Sequence, residues 1–301
     1  MTISVQMAAD SVSPAGKRIS SMVLKYPRFI HAELMTHRVF SRNASSSRAI
    51  PVKKVLANIK QDMAEPIHWG SNQPGMQAHD QLSGIRLWLA KVGWKVAGRI
   101  AIILAKLFMF IGLHKQVANR ITEPFSHITV LVTATEWSNW FALRNHKMAQ
   151  PEIRKLAELM AKIMEESTPI SIGYNNWHLP FVSKYEQHQI GMANAIKCCV
   201  ARCARLSYLN HDKSNPTVEG DIELYNMLGV RPYSNDRKKI YLTKDEPVHL
   251  SPYEHACKPM PQLPIELGNT NIWPAGVTHM DRNGKLWSGN VCGWIQHRQL
   301  A

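Results

Sequence analysis

Between Met35 and Val52 the chain reads MTHRVFSRNASSSRAIPV. His37, Arg38, Arg42, Asn43, Ser45, Ser46, Ser47 and Arg48 fall there with no acid among them. Arginine donates through a planar fork and stays charged at any working pH. Serine hydroxyls and free loop amides add short bonds to the same anion. Such a set suits phosphate oxygens, from one ligand with several phosphates or from two phosphorylated ligands side by side. It would equally serve a solvated basic loop, or a loop that grips RNA through its phosphates. Chemistry alone leaves these readings open.

The elements around the stretch must hold it in place. Residues 18 to 35 read as a strand, a break near Pro27 and a short helix that ends in the stretch. Ser and Asn side chains compete for backbone partners, so the serine-rich part is a poor helix interior and reads as a loop ending at Pro51. A second loop covers 66 to 82, and a long helix follows to about Arg120. HITVLVTATEW is β-branched and apolar and reads as a strand, with a helical turn after it at NWFALRNHK. QPEIRKLAELMAKIMEE is a helix with Pro151 in its first turn and Ile153, Leu156, Met160 and Ile163 on its buried face. Loops follow over 167 to 190, then a helix over 191 to 207 and a turn-rich tail from 210 with one helix near EGDIELYNMLG.

The chain has 301 residues, 45% of them hydrophobic and 19% charged, enough for a full core and too few charges for long disorder. Its net charge of +14 favours anionic partners such as nucleotides, phosphorylated cofactors, nucleic acid or a membrane surface. Three of the five cysteines crowd into KCCVARC, without the second ordered pair or the histidines that a zinc site needs, so buried thiols and no metal are expected. With no apolar signal segment at the start and an odd cysteine count, a reducing cytoplasm is expected. The segment from Ile85 to Lys115 is strongly apolar, but Lys91, Lys95, Arg99 and Lys106 interrupt it. No membrane span is expected; core packing or a subunit interface accounts for the segment, with an in-plane membrane helix as the sharper alternative.

The opening stretch resembles the signature R-H-R-x-x-S-x-N-E-x-S-x-R of the flavin-dependent thymidylate synthases. His37, Arg38, Ser41, Asn43, Ser46 and Arg48 match it. TEWSNWFALRNHKMAQPEIRKLAELM resembles the second block of that family through Asn139, Leu143, Arg144, Ala149, Gln150, Glu152 and Ile153, and HKQVANRITEP resembles the segment before it. The resemblance covers residues 13 to 165. It implies an α/β fold with a twisted β-sheet flanked by helices. It implies transfer of a one-carbon unit from methylenetetrahydrofolate to C5 of dUMP, with reduction by NADPH through FAD, to give dTMP. By position, His37, Arg38, Asn43 and Asn139 would face FAD. Ser46, Ser47 and Arg48, with Arg120 in an adjoining register, would bind dUMP, and Arg144 would hold the pyrimidine and favour negative charge on its ring. No protein nucleophile is implied, because the flavin carries the redox step. Family members form homotetramers with shared active sites, so a homo-oligomer is expected, without membrane or nucleic-acid partners.

The chain departs from the family pattern at Thr36, Ala44 and Met148, where the family has Arg, Glu and His, although His146 lies near the last. The family's upstream histidine falls on Lys17, while a copy of its motif, SPYEH, appears at 251 to 255 and is followed by GWIQHR. This divides the chain into a catalytic region, 1–190, and a C-terminal extension, 191–301, read as a partial repeat or permuted copy of the N-terminal unit. His255 would then replace the lost flavin-facing histidine. The departures keep two alternatives: a flavin- and folate-dependent hydroxymethylase of dUMP or dCMP, and a cofactor-free nucleic-acid-binding protein on the same fold.

Overall fold

Two strands of contrasting sides organise the chain. In β2 (Arg18–Pro27), Met22, Leu24 and Tyr26 face one side and Ser21, Val23 and Lys25 the other; β1 (Ser4–Val12) pairs with it antiparallel. In β4 (His127–Ala134), Ile128, Val130 and Val132 join the first side, and Leu131 and Thr133 turn to the second. The alternation is that of a sheet covered on both faces. With β3 (Ser41–Ala44) and β5 (Ile170–Ser171) it forms a five-stranded sheet in the order β3-β4-β2-β1-β5, antiparallel except for the β1–β5 pair. The computed structural model describes residues 2–75, 77–207, 217–228, 250–260, 279–280, 286–287 and 289–300. Much of the turn-rich tail therefore lies outside the described residues.

The first face is covered by α1 (His31–Met35), α5 (Ser138–Arg144) and α6 (Pro151–Glu166). Pro151 stands at the start of α6, and Ile153, Leu156, Ala157 and Met160 are fully buried, whereas Ile163 is only partly so. The second face is covered by α8 (Met192–Ala204), with α7 (Lys184–Ile190) and α9 (Val218–Met227) packed against it. Its core runs from Leu131 and Leu179 through Ala195, Cys198, Cys199 and Cys203 to Tyr253, so packing does not divide at residue 190. All five cysteines are free, four of them buried, and burial pushes the Cys203 and Cys257 thiols well above their usual range. Three short strands, β6 (Cys257–Pro259), β7 (His279–Met280) and β8 (Leu286–Trp287), precede β9 (Trp294–Gln296), which pairs with β6.

A third core joins α2 (Val52–Gln61) to α3 (Gly84–Phe110) through Val55, Leu56 and Ile59 against Ala101, Ile102 and Ala105. Two expectations need correction here. The helix α3 ends ten residues before Arg120, because Gly112 takes φ +81°, a left-handed conformation that closes helices; α4 (Lys115–Ala118) and a 3-10 turn over Arg120–Phe125 follow. The serine-rich loop begins as strand β3, whose backbone pairs with β4 while Asn43 bonds inward to the Cys203 carbonyl. Neither β1 nor α2 was read from the sequence. No described helix is long and apolar enough to cross a membrane.

Candidate active site

The arginine at the end of α5 meets the start of the donor-rich stretch. Arg144 Nε donates to His37 Nε2 at 3.2 Å, its Nη1 to Glu33 Oε2 at 2.9 Å, and its Nη2 to Thr36 Oγ1 at 3.2 Å. A guanidinium only donates, so His37 Nε2 must be the bare acceptor nitrogen and the proton sits on Nδ1. Burial, then Arg144 and Arg42, pull the His37 pKa below its usual value. The imidazole is 5% exposed and packs against Trp140 and Phe40 at centroid distances of 4.8 and 5.7 Å. Burial also raises the Glu33 carboxyl, against the pull of Arg144, and nearby Glu152 adds to the rise.

Glu33 is one of the residues that sequence reasoning missed. It is the only acid between residues 11 and 61, and that isolation was the available signal. Thr36, which replaces the family arginine, accepts from Arg144 with its hydroxyl. The other departures are less central. Ala44 packs against the first core, and Met148 is half exposed. The ring of His146 accepts from the Met148 amide and shapes the turn. Glu152 is structural here: its carboxylate accepts from the Ile67 amide and from Gln150, tying the 66–82 loop to α6.

A second acid collects the other end of the stretch. Glu123 Oε1 accepts from Ser47 Oγ at 2.8 Å and pairs with Arg120 at 3.0 Å and Arg28 at 3.3 Å. Beside it, buried Asn119 donates from Nδ2 to the carbonyls of Ser47 and Ile50, at 2.7 and 2.9 Å. The sequence register pointed to Arg120; the structure puts Asn119 inside, holding the loop, and leaves Arg120 exposed. Ser46 accepts from the Arg48 amide, and Arg48 is exposed.

The remaining residues do not all converge. Arg38 and Asn139 are exposed, and Asn139 lies five positions before Arg144, about 140° around the α5 axis. Asn43 has turned its amide into the second core. His255 is buried on the opposite face of the sheet, bonded through Nδ1 to Thr133 Oγ1 at 2.8 Å. Thr133 alternates with Val132, which faces the Arg144 side. Within one chain the sheet therefore stands between His255 and Arg144, and His255 does not complete the Arg144 cluster. It belongs instead to a buried chain of hydrogen bonds, Ser11–His178–Ser21–Thr133–His255, with links of 2.9, 2.8, 2.5 and 2.8 Å.

For a flavin, the residues left available are Arg38, Asn139 and His37. The Trp140 indole N–H is buried beside His37 with no partner among the described residues. In kind, this donor-rich set fits a phosphorylated ring with acceptor edges; Asn43 and His255, as placed in this chain, do not contribute to it. Among the described residues no group of His, Cys, Asp and Glu could hold a metal ion.

Residues 117–170 match the family model described as thymidylate synthase complementing protein. No curated protein sequence matches the chain. Similar solved structures include a UMP/dUMP methylase, PolB, from Streptomyces cacaoi bound with 5-Br dUMP, at 16% identity and a TM-score of 0.46, over 55% of this chain and 90% of that one. The same methylase bound with 5-Br UMP matches at 14% identity and a TM-score of 0.45, over 55% and 89%.

Proposed function

We propose, from the premise that residues 117–170 make this chain a divergent relative of the thymidylate synthase complementing proteins, that it modifies C5 of a pyrimidine nucleotide, dUMP. One observation carries the reading. Arg144, inside the matched segment, lies within hydrogen-bond distance of His37, in the stretch that resembles the family signature 107 residues away. Two separately recognised motifs meet at one point.

In this reading the Arg144 fork holds the pyrimidine carbonyls. A ligand oxygen competes with the contacts to Thr36 and to the Glu33 carbonyl, the longer ones at 3.2 and 3.4 Å. The fork favours negative charge that develops on the ring, and Glu33 and His37 fix its plane. Neutral His37 adds no competing charge. Ser46, Arg48 and Arg120 supply donors for the nucleotide phosphate. Arg38 and Asn139 would hold FAD, which when bound supplies the redox chemistry, with NADPH and methylenetetrahydrofolate as co-substrates. The exposure of Arg38 and Asn139 accords with a homo-oligomer whose sites are completed by a second copy. Loss of the family arginine and glutamate at Thr36 and Ala44 favours a second reading, hydroxymethylation at the same carbon.

The test is a visible spectrum of the protein reconstituted with FAD and titrated with dUMP, followed by mass spectrometry of the product. Flavin bands that shift with dUMP support the reading, and the product mass separates methyl from hydroxymethyl. A protein that takes up no flavin and binds RNA or DNA in a salt-sensitive way would instead support the cofactor-free alternative.

A further inference from the structure

The long helix α3 is apolar on two opposite sides. One side, at Gly98, Ala101, Ile102 and Ala105, is buried against the third core. A Cβ at Gly98 would fall 2.6 Å from Met63 Cε, so the helix is held close there and its inward side is fixed. The other side carries Ile85, Leu89, Val96, Ile100, Ile103 and Leu107, all exposed, at spacings of four, seven, four, three and four. At about 100° per residue these six centre opposite the buried side. Phe110, at the end of the helix, is 87% exposed. The outward face runs the length of the helix, about 40 Å at 1.5 Å per residue.

The cations that rule out a membrane span border this face. Lys91, Lys95, Arg99 and Lys106, spaced four, four and seven apart, form an exposed row along one flank, with Trp88 among them. Arg86 lies on the other flank. Lys95 faces Glu65 at 3.9 Å; Lys91, Arg99 and Lys106 have no carboxylate among the described residues. From Gly84 to Thr122 the chain holds no acid at all.

A long exposed apolar face marks contact with a protein or with a membrane. A second α3 answers it badly. Antiparallel pairing about a two-fold axis brings the same flank of each helix together, so the cation rows meet and repel. Parallel pairing sets the row against Arg86, and no acid of α3 compensates it. An anionic bilayer answers both features at once. The apolar side chains enter the boundary between headgroups and acyl chains, and the Lys and Arg stems reach back to the headgroup phosphates. Trp88 sits at the level that such surfaces favour for indole rings. The net charge of +14 adds attraction at longer range.

We infer that α3 is an in-plane membrane-binding helix that seats the chain on an anionic lipid surface. Its outward apolar face enters the surface, with Lys91, Arg99 and Lys106 at the headgroups, and the core-packed side keeps the rest of the chain above it. This inference does not depend on the reaction proposed for Arg144.

The test is co-flotation of the full chain with two kinds of vesicle, phosphatidylcholine alone and phosphatidylcholine with about a third phosphatidylglycerol. Binding to the anionic vesicles is expected to be about ten-fold or more tighter and to weaken as salt rises. Ile103→Glu should weaken it about ten-fold or more, and Lys91→Glu with Lys106→Glu by about as much. Anionic vesicles should shift the tryptophan emission to the blue, and Trp88→Phe should abolish that shift. Three results would overturn the inference: no preference for anionic vesicles, indifference to Ile103→Glu, or a sedimenting mass without vesicles that Ile103→Glu lowers, which would put a second copy on this face. The substituted side chains are exposed, so thermal melts should match the parent chain. Ile85→Glu, in the first turn of α3, gives the same reading independently.

Discussion

At the scale of single residues, the stretch without acids turns out to be served by acids from elsewhere. Glu33 sits on Arg144, and Glu123 on Ser47, Arg120 and Arg28. The Arg144–Glu33 pair is partly exposed, so it contributes about 0–1 kcal/mol to stability and chiefly fixes a direction. Arg144→Ala is therefore expected to leave the fold and FAD uptake intact while turnover falls by about a hundredfold or more, as when a charge-stabilising donor is removed. Steady-state kinetics beside a flavin titration decides it; equal loss of both would count against the role given to Arg144. The paired change Ser46→Ala with Arg48→Ala should raise the dUMP dissociation constant about ten-fold or more and leave FAD affinity within about two-fold. Such a gap corresponds to one charge-assisted contact, about 1.5–3 kcal/mol. Isothermal titration with each ligand distinguishes this from general damage.

At the scale of elements, the legible parts were those whose period is set by packing. The strand at β4 and the helix α6 were read because their apolar positions repeat every two, or every three and four, residues and both bury those faces. What failed was local. Ser and Asn argue against a helix, yet they do not argue against an edge strand, and Ser41 and Asn43 satisfy their side chains inward while the backbone pairs. The end of α3 depended on the conformation of one glycine. The candidate site was legible where it repeated a motif, and illegible where one side chain reached another element, as with Glu33, Glu123 and Asn119. Asn119 offers the sharper test. Asn119→Ala removes two buried bonds to the loop and leaves the Ser47 and Ile50 carbonyls short of donors, so a loss of about 2–4 kcal/mol is expected in urea unfolding. On α3, Leu89, Val96, Ile100, Ile103 and Leu107 form an outward stripe at spacings of seven, four, three and four, and Ile103 is 63% exposed. If this stripe is the subunit contact the sequence suggested, Ile103→Glu lowers the sedimenting mass while the monomer stays folded; an unchanged mass removes α3 from the interface.

At the scale of the whole molecule, the sheet separates two kinds of histidine chemistry. On one face His37 reads out Arg144. On the other, His178 and His255 close a buried hydrogen-bonded chain, and His127 lies at the far end of the same face. Burial pulls His178 and His255 down to about 3 and His127 to about 4. An unfolded histidine titrates near 6.5. Each of the three is thus neutral when folded and takes up a proton on unfolding once the pH falls below about 6.5. Their contribution is complete above that value and declines as pH falls toward the folded values. With these three protons and a fourth from His297, which burial also pulls down to about 4, the slope between pH 4 and 6 approaches about 5 kcal/mol per pH unit. Marginal domains hold only about 5–15 kcal/mol in total, so the chain is expected to unfold cooperatively in that window. Urea midpoints at pH 7, 6 and 5 measure the slope. His255→Gln keeps a side chain that can bond Thr133 and removes one of four titrating groups, so the slope should drop by about a quarter. An unchanged slope would mean that His255 is already protonated in the fold, and that the chain from Ser11 to His255 is anchored by a charge instead of a neutral ring.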